Sequence, residues 1–324
     1  MSHSVIVPNR THPEGPIRLV IGVPTVGCRW AREAEGCVHC PAPVVARSHP
    51  PTGDVVALVE KELDRTRGSS VSTVCLYTPG SALDTSEIQR DVLLEVVQRI
   101  VRAVRPRRLM LESRPELVDE AYTAEIVDVA GATEVSICLP LESADPGVRS
   151  GIGKMFTNRE YVVAATKVVK AGAVLTATVL LKPPGLAESD AVVDARRSIS
   201  WLSAIGPSRI VLEPMFVYEG TPLASLLVTG RYNPPWLWSI AAAVEAAVDG
   251  RVVVGGEFVY PPPLRAPANC RACTERIWKT ICGNDGCSAT KALLSAEACE
   301  CIETWLRLMD GVPTRLREHW SVRR

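Results

Sequence analysis

The sequence predicts an α/β protein built on parallel strands, and three observations predict it. Short β-type runs alternate with longer amphipathic runs six times along the chain, the pattern of repeated strand–helix units. The runs are rich in Val, Ala and Leu, and aromatics make up only 5% of the residues, which suits buried parallel strands and packed helices. The 324 residues, 47% of them apolar, suffice for one large core or a core plus a small module. Six units fit either an open doubly wound sheet or a partial barrel. In both, ligands gather beyond the carboxyl ends of the strands.

The strand candidates in order are "IRLVIGV", "STVCLYT", "RLMLES", "EVSICLP", "VLTATVLL" and "RIVLEP". Between them stand helix candidates: "DVVALVEKELDRTR", "SEIQRDVLLEVVQRIVRAV", "ELVDEAYTAEIVDVA", "NREYVVAATKVVKAG" and "SDAVVDARRSISWLSAIG". Asp54, Ser86, Asn158 and Ser189 are the expected N-caps, because a short polar side chain can accept a first-turn N–H. Gly131 and Gly172 are expected to end two of the helices. After Pro214 the texture changes: "YNPPWLWSIAAAVEAAV" reads as a proline-started helix, and "RVVVGGEFVYPPPLRAP" as a short strand running into a proline-rich linker. A boundary near 261–267 separates residues 1–260, a barrel with an N-terminal extension, from a Cys-rich module at 261–324.

Net charge is zero, which argues against tight nucleic-acid binding by this chain alone, since that binding is mostly phosphate neutralisation. The basic run "RAVRPRR" at Arg102–Arg108 suits a helix C-terminus in water. The first residues lack a long apolar stretch, and no apolar run reaches the roughly 20 residues of a membrane span. The expectation is a soluble, cytoplasmic protein. No G-x-G-x-x-G follows the first strand and no P-loop motif occurs, so dinucleotide and nucleoside triphosphate readings lose support.

Eleven cysteines are the most informative feature. In a reducing compartment, clustered cysteines point to metals or redox chemistry. Cys75 and Cys138 stand alone inside apolar runs and read as buried small hydrophobes. Cys28, Cys37 and Cys40 lie together just past the first strand, in "VGCRWAREAEGCVHCP". Thiolates select zinc, copper(I) and iron–sulfur clusters. A structural zinc wants a fourth ligand, and His39 is awkward for it because its neighbour Cys40 is already in use. A [4Fe–4S] cluster on three thiolates instead leaves one iron open for a substrate or cofactor.

That open site after the first strand resembles the arrangement of the radical S-adenosylmethionine superfamily. The usual loop there is C-x3-C-x2-C, and this chain has C-x8-C-x2-C. The resemblance implies a partial (β/α)6 TIM-like barrel of the radical SAM type with a small Cys-rich metal-binding module. It implies that Thr78, Gly80 and Ser81 of "YTPGSALD" approach the methionine amino group. Glu112 of "LESRPE" would meet the amino-acid part or sulfonium side. In "LPLESADPGVRSGIGKMFT", Glu142 would meet a ribose hydroxyl and Lys154 the carboxylate.

A more detailed resemblance rests on "GCRWAREAEGCVHC", "TPGSALD", "LESRPE", "LLKPPGLAESDAVVDARRSI", "YNPPWLWS" and "NCRAC…CECIETW". These are similar to the family of the archaeosine synthase radical subunit, in which the long first cysteine gap is usual. Members of that family act with a lysine-transferring partner and cleave a lysine adduct on a deazaguanine base of transfer RNA. The resemblance implies reductive cleavage of adenosylmethionine at the cluster and hydrogen abstraction from substrate. It also implies a flavodoxin- or ferredoxin-type electron donor and a partner subunit presenting the substrate. The chain departs from the family after the sixth strand, where "EPMFVYEGT" replaces an Asn-rich segment. Lys182, Glu213, Tyr218 and Glu219 are therefore the substrate-side candidates, and another small-molecule or natural-product substrate is an alternative.

The tail, "NCRACTERIWKTICGNDGCSATKALLSAEACECIETW", pairs C-x2-C with C-x-C. Cys270, Cys273, Cys299 and Cys301 match the family's pairs and read as a metal knot stapling a module too short for its own core. Cys282 and Cys287 are extras. Zinc and a second iron–sulfur cluster both fit. Two rival classes remain: a zinc hydrolase or transferase, for which the sequence lacks the H-x-E…P-C-x-x-C signature and H-E-x-x-H, and a zinc-stabilised RNA or protein adaptor, which calls for a basic or aromatic surface.

Overall fold

Each expected strand forms where its apolar run stands. In the computed structural model, residues 3–7, 17–49, 54–245, 251–255, 261–282 and 299–314 are described. The strands are β1 (His3–Val7), β2 (Ile17–Gly22), β3 (Val71–Tyr77), β4 (Arg108–Glu112), β5 (Glu134–Glu142), β6 (Val174–Leu181), β7 (Arg209–Pro214) and β8 (Val252–Val254). They follow one another through the sheet in chain order. Strand β1 pairs antiparallel with β2, whereas β2 to β8 form the parallel, curled half-barrel part. The antiparallel edge strand β1 was not expected.

Helices α1 (Arg29–Glu33) and α2 (Ala42–Ser48) lie within and after the opening cysteine loop. Helices α3 (Val55–Asp64), α4 (Arg90–Val104), α5 (Glu120–Ala130), α7 (Asn158–Lys170) and α8 (Glu188–Ile205) connect the strands, with the short α6 (Pro146–Gly151) after β5. Then come α9 (Pro222–Val228), α10 (Leu237–Val244), α11 (Thr274–Cys282) and α12 (Cys301–Leu308).

Asp54 caps α3 as expected, accepting the Val56 N–H at 2.8 Å. Three expected caps are corrected. Ser86 lies upstream of α4, whose N-cap is Gln89, because Asp84 has taken the Ser86 N–H at 2.9 Å in a turn of its own. Thr157, not Asn158, caps α7, in a reciprocal box with Glu160. Helix α8 begins at Glu188 with Ala187 as N-cap, ahead of Ser189. Gly131 and Gly172 end α5 and α7, both with positive φ.

Two compact units are distinguished: Met1–Pro140 with Met155–Ala177, and Leu141–Lys154 with Thr178–Arg324. In the first, Leu19 and Ile21 of β2, Val74 and Leu76 of β3, Leu109 and Leu111 of β4 and Ile137 and Leu139 of β5 are fully buried. Cys75 and Cys138 are buried in β3 and β5. In the second, α10 is buried along its whole length, beside α8, whose Arg196 donates to the Ala242 carbonyl. Cys287 and residues 256–260 of the expected linker lie outside the described residues, as does the side chain of Cys282. No helix among the described residues is long and apolar enough to cross a membrane.

Candidate cofactor and metal sites

The opening cysteine loop is docked on the segment that follows β3. Cys28, Cys37 and Cys40 are half-buried and form no disulfide. The Cys28 N–H donates to the Pro79 carbonyl at 3.2 Å, and the Cys40 N–H to the Cys37 carbonyl at 3.1 Å. A Cβ added at Gly80 would lie 2.6 Å from Cys28 Cα and would also meet the Glu87 carboxylate. Only a glycine lets the two segments approach this closely.

Three polar clamps hold that contact. Thr25 Oγ1 donates to Glu87 Oε1 at 2.5 Å, and the Ser81 N–H donates to Glu87 Oε2 at 2.7 Å. Burial pushes the Glu87 carboxyl up from its ordinary value, against the bonds from Thr25, Ser81 and Thr78. Arg29, next to Cys28, forms a two-pronged ion pair with Asp84, whose side chain is fully buried. The Arg114 guanidinium lies 5.3 Å from the centroid of the Trp30 ring, and the Arg114 N–H donates to Ser81 Oγ at 3.1 Å. None of Thr25, Arg29, Asp84, Glu87 or Arg114 was singled out in the sequence.

Burial works against the ionised Asp84, but Arg29 and the Ser86 N–H hold its carboxyl below the ordinary value. The folded value therefore lies under the unfolded one. The pair's contribution is complete above the unfolded value of about 3.9 and is lost as pH falls through the folded value. Urea unfolding of the metal-free chain is expected to weaken across that acid range, and Asp84→Asn to remove part of that pH slope. An unchanged slope would show that the pair does not anchor the loop.

Of the expected cofactor-binding residues in the first unit, Gly80 donates its N–H to Thr78 Oγ1 at 3.4 Å. Ser81 is buried, with both its N–H and hydroxyl engaged internally. Glu112 closes β4, and its carbonyl accepts the Ala82 N–H at 2.9 Å.

In the second unit, Glu142 and Lys154, assigned separate ligand contacts by the resemblance, form a buried ion pair with each other. Thr178 Oγ1 lies 3.4 Å from the same carboxylate. Lys182 pairs with Glu188 at 2.6 Å, with side chains 12% and 4% exposed. Glu142 and Lys182 end or follow their strands with φ of 68° and 64°, and besides them Arg105 is the other non-glycine with positive φ among the described residues. Such strained backbone concentrates at functional sites. The Glu188 carboxylate also accepts from Ser239 Oγ at 2.5 Å and from the Trp236 N–H at 2.8 Å. Glu188→Gln would leave the Lys182 ammonium buried without its counter-charge. A loss of about 3 kcal/mol is expected, measured by urea unfolding, and parental stability would show that the pair is dispensable.

Glu213, in β7, lies against Gly255, where an added Cβ would strike its carboxyl group. Tyr218 is half-buried beside Phe216, with ring centroids 6.4 Å apart, and Phe216 meets Trp278 edge-on. Glu219 is exposed.

Cys270, Cys273, Cys299 and Cys301 converge, with all four sulfurs within 4.8 Å of one another. The group could hold a metal ion, and its four ligands are the ones expected from the paired spacing.

No family model matches this chain. It is 28% identical over 290 residues to archaeosine synthase subunit beta of Methanosarcina acetivorans, covering 88% of this chain and 83% of that protein. It is likewise 28% identical over 267 residues to archaeosine synthase subunit beta of Thermococcus kodakarensis, covering 80% and 81%. Among solved structures, methylornithine synthase (PylB) aligns with a TM-score of 0.51 at 12% identity, over 96% of this chain and 87% of that one. Elp3 of Methanocaldococcus infernus aligns with a TM-score of 0.51 at 14% identity, over 69% of this chain and 57% of that one. This chain therefore spans little more than half of that solved chain, itself an Elp3 with its N-terminus deleted. The chain shares the fold of these two structures, built on a curled half-barrel of parallel strands. The similarity to archaeosine synthase subunit beta read from the sequence holds over most of the chain.

Proposed function

We propose that this chain is a radical SAM enzyme that cleaves S-adenosylmethionine reductively and abstracts hydrogen from a substrate. The observation that carries the reading is the three-thiol loop after β2, held by Gly80, Glu87 and Asp84 against the segment after β3. Three half-buried thiols of one loop are a soft donor set that fits an iron–sulfur cluster with one open iron. When bound, the cluster and adenosylmethionine supply the electron transfer and the radical chemistry.

The chain's own residues bind and orient. Cys28, Cys37 and Cys40 are the cluster's ligands. Gly80 gives backbone access, with Thr78 and Ser81 beside it after β3 and Glu112 at the end of β4. Lys154 and Glu142 offer the carboxylate and ribose contacts of adenosylmethionine. Their mutual ion pair keeps both charges balanced inside the protein until those contacts form. Lys182, Glu213, Tyr218 and Glu219 remain the substrate-side residues.

For the substrate, similarity to archaeosine synthase subunit beta supports a lysine adduct on a deazaguanine base of transfer RNA, presented by a partner subunit. The segment Glu213–Thr221 supports a second reading, a recruited small-molecule substrate, because it packs Phe216 on Trp278 and leaves Glu219 in water where the family carries amides. The test is anaerobic reconstitution with iron and sulfide, then incubation with adenosylmethionine and a reductant. Formation of 5′-deoxyadenosine is expected. Faster formation with the lysine-adduct RNA supports the first substrate, and no response to it supports the second. A colourless chain that makes no deoxyadenosine would overturn the radical reading.

A further inference from the structure

We infer that Cys270, Cys273, Cys299 and Cys301 hold one tetrahedral zinc ion rather than a second iron–sulfur cluster, and that this ion anchors α10, whose Ser239 bonds the Glu188 carboxylate that pairs with Lys182. The Sγ–Sγ separations are 3.3 Å for Cys270–Cys299, 3.5 Å for Cys273–Cys301 and 3.6 Å for Cys270–Cys273. Four sulfurs at about 2.3 Å from one central ion stand about 3.8 Å apart. In a four-iron cluster each thiolate caps a different iron, so the sulfurs stand farther apart than they can around a single ion. Disulfides would bring two sulfurs to about 2.05 Å, and these four are free.

The groups around the sulfurs are those that thiolates need. Trp238 Nε1–H donates to Cys301 Sγ at 3.4 Å. Donors of this kind spread the excess negative charge of four thiolates on a divalent ion. Cys273, Trp238, Ile277, Ile302 and Trp305 are buried and cover one side of the knot, whose other three cysteines are half-buried.

The second half follows from the residue next to Trp238. Ser239 sits on the same helix, α10, and its hydroxyl donates to Glu188. Trp305, one turn along α12 from Cys301, donates its indole N–H to Ser239 Oγ at 2.7 Å. Two helices tied to the knot thus converge on the carboxylate that holds Lys182. Lys182 and Glu188 line a cavity of about 680 Å³ together with Arg231, Tyr232, Arg265 and Asn269, and Asn269 immediately precedes Cys270. The ion therefore fixes one wall of a cavity sized for a small ligand. This inference does not depend on the radical chemistry.

The test uses the full chain with Cys28, Cys37 and Cys40 changed to alanine, purified without air, so that only the knot can bind metal. One zinc per chain, without iron or acid-labile sulfide, is expected. Cobalt(II) exchange should give the intense visible bands of a tetrahedral four-thiolate site. Trp238→Phe should shift the sulfur-to-cobalt charge-transfer band, because the N–H···S bond is gone. Iron and sulfide in this variant, or no stoichiometric metal, would overturn the site, and an unshifted band would overturn the link to α10. Should the triple variant fail to fold, the unaltered reconstituted chain decides instead. About four irons with one zinc supports a single ion, and about eight irons without zinc refutes it.

Discussion

Cys37→Ala is expected to abolish 5′-deoxyadenosine formation and to leave the reconstituted chain with little bound iron. The prediction follows from what that side chain does and does not hold. Its backbone carbonyl closes the turn to Cys40, and alanine keeps that turn. Removing the thiol therefore takes away a ligand while the backbone turn to Cys40 remains. Two thiolates cannot hold a cluster that needs three, so the loss should be complete rather than graded. Cys75→Ala is the matched control. Cys75 is fully buried in β3, and its replacement should cost about 1 kcal/mol of stability while iron content and turnover stay near parental. Deoxyadenosine formed by Cys37→Ala at the parental rate would place the cluster elsewhere.

The parallel strands were legible because each is a mostly apolar run: β5 and β6 are buried on both faces, and β4 and β7 alternate between buried and half-buried residues. Strand β1 was not, because its pairing lies at the antiparallel edge and its sequence carries no helical partner to mark a repeat. Helix starts were misplaced wherever a polar residue had a stronger use. Asp84 takes the Ser86 N–H for the turn before α4. Glu188 opens α8 because Lys182, Ser239 and the Trp236 N–H all meet its carboxylate.

At the sites, cysteine spacing betrayed both thiol groups. The residues that dock the opening loop left no such trace. Arg29 and Asp84 stand 55 positions apart, and Thr25 and Glu87 62, so no local pattern joins them. Glu142 and Lys154 were each found from the strand-end segment that carries them, but their mutual pairing requires the chain to fold back over 12 residues. Charges read singly from a sequence are easily given separate partners when the nearest partner is one another.

Gly80→Ala should be nearly as damaging as loss of a cysteine, although no ligand is touched. The added Cβ would lie 2.6 Å from Cys28 Cα and 2.8 Å from Cys28 N, far inside van der Waals contact. Neither atom belongs to a flexible side-chain end, so the backbone itself must move. The loop after β3 cannot simply retreat. Pro79 accepts the Cys28 N–H, and Ser81 on the other flank is tied to Glu87 and Arg114. The displacement must pass to Cys28, which carries the first thiolate. A shift of about 1 Å in a catalytic constellation costs about a hundredfold in rate, and a fall of that size in deoxyadenosine formation is expected, together with reduced iron uptake. Gly206→Ala separates this effect from ordinary strain. Gly206 ends α8 with φ of 86°, and a Cβ there meets nothing within 4 Å, so its cost should be about 1 kcal/mol of stability with the cluster intact. If Gly80→Ala loads iron and turns over like the parent, the close approach of the two loops is not what sets the position of the cysteines.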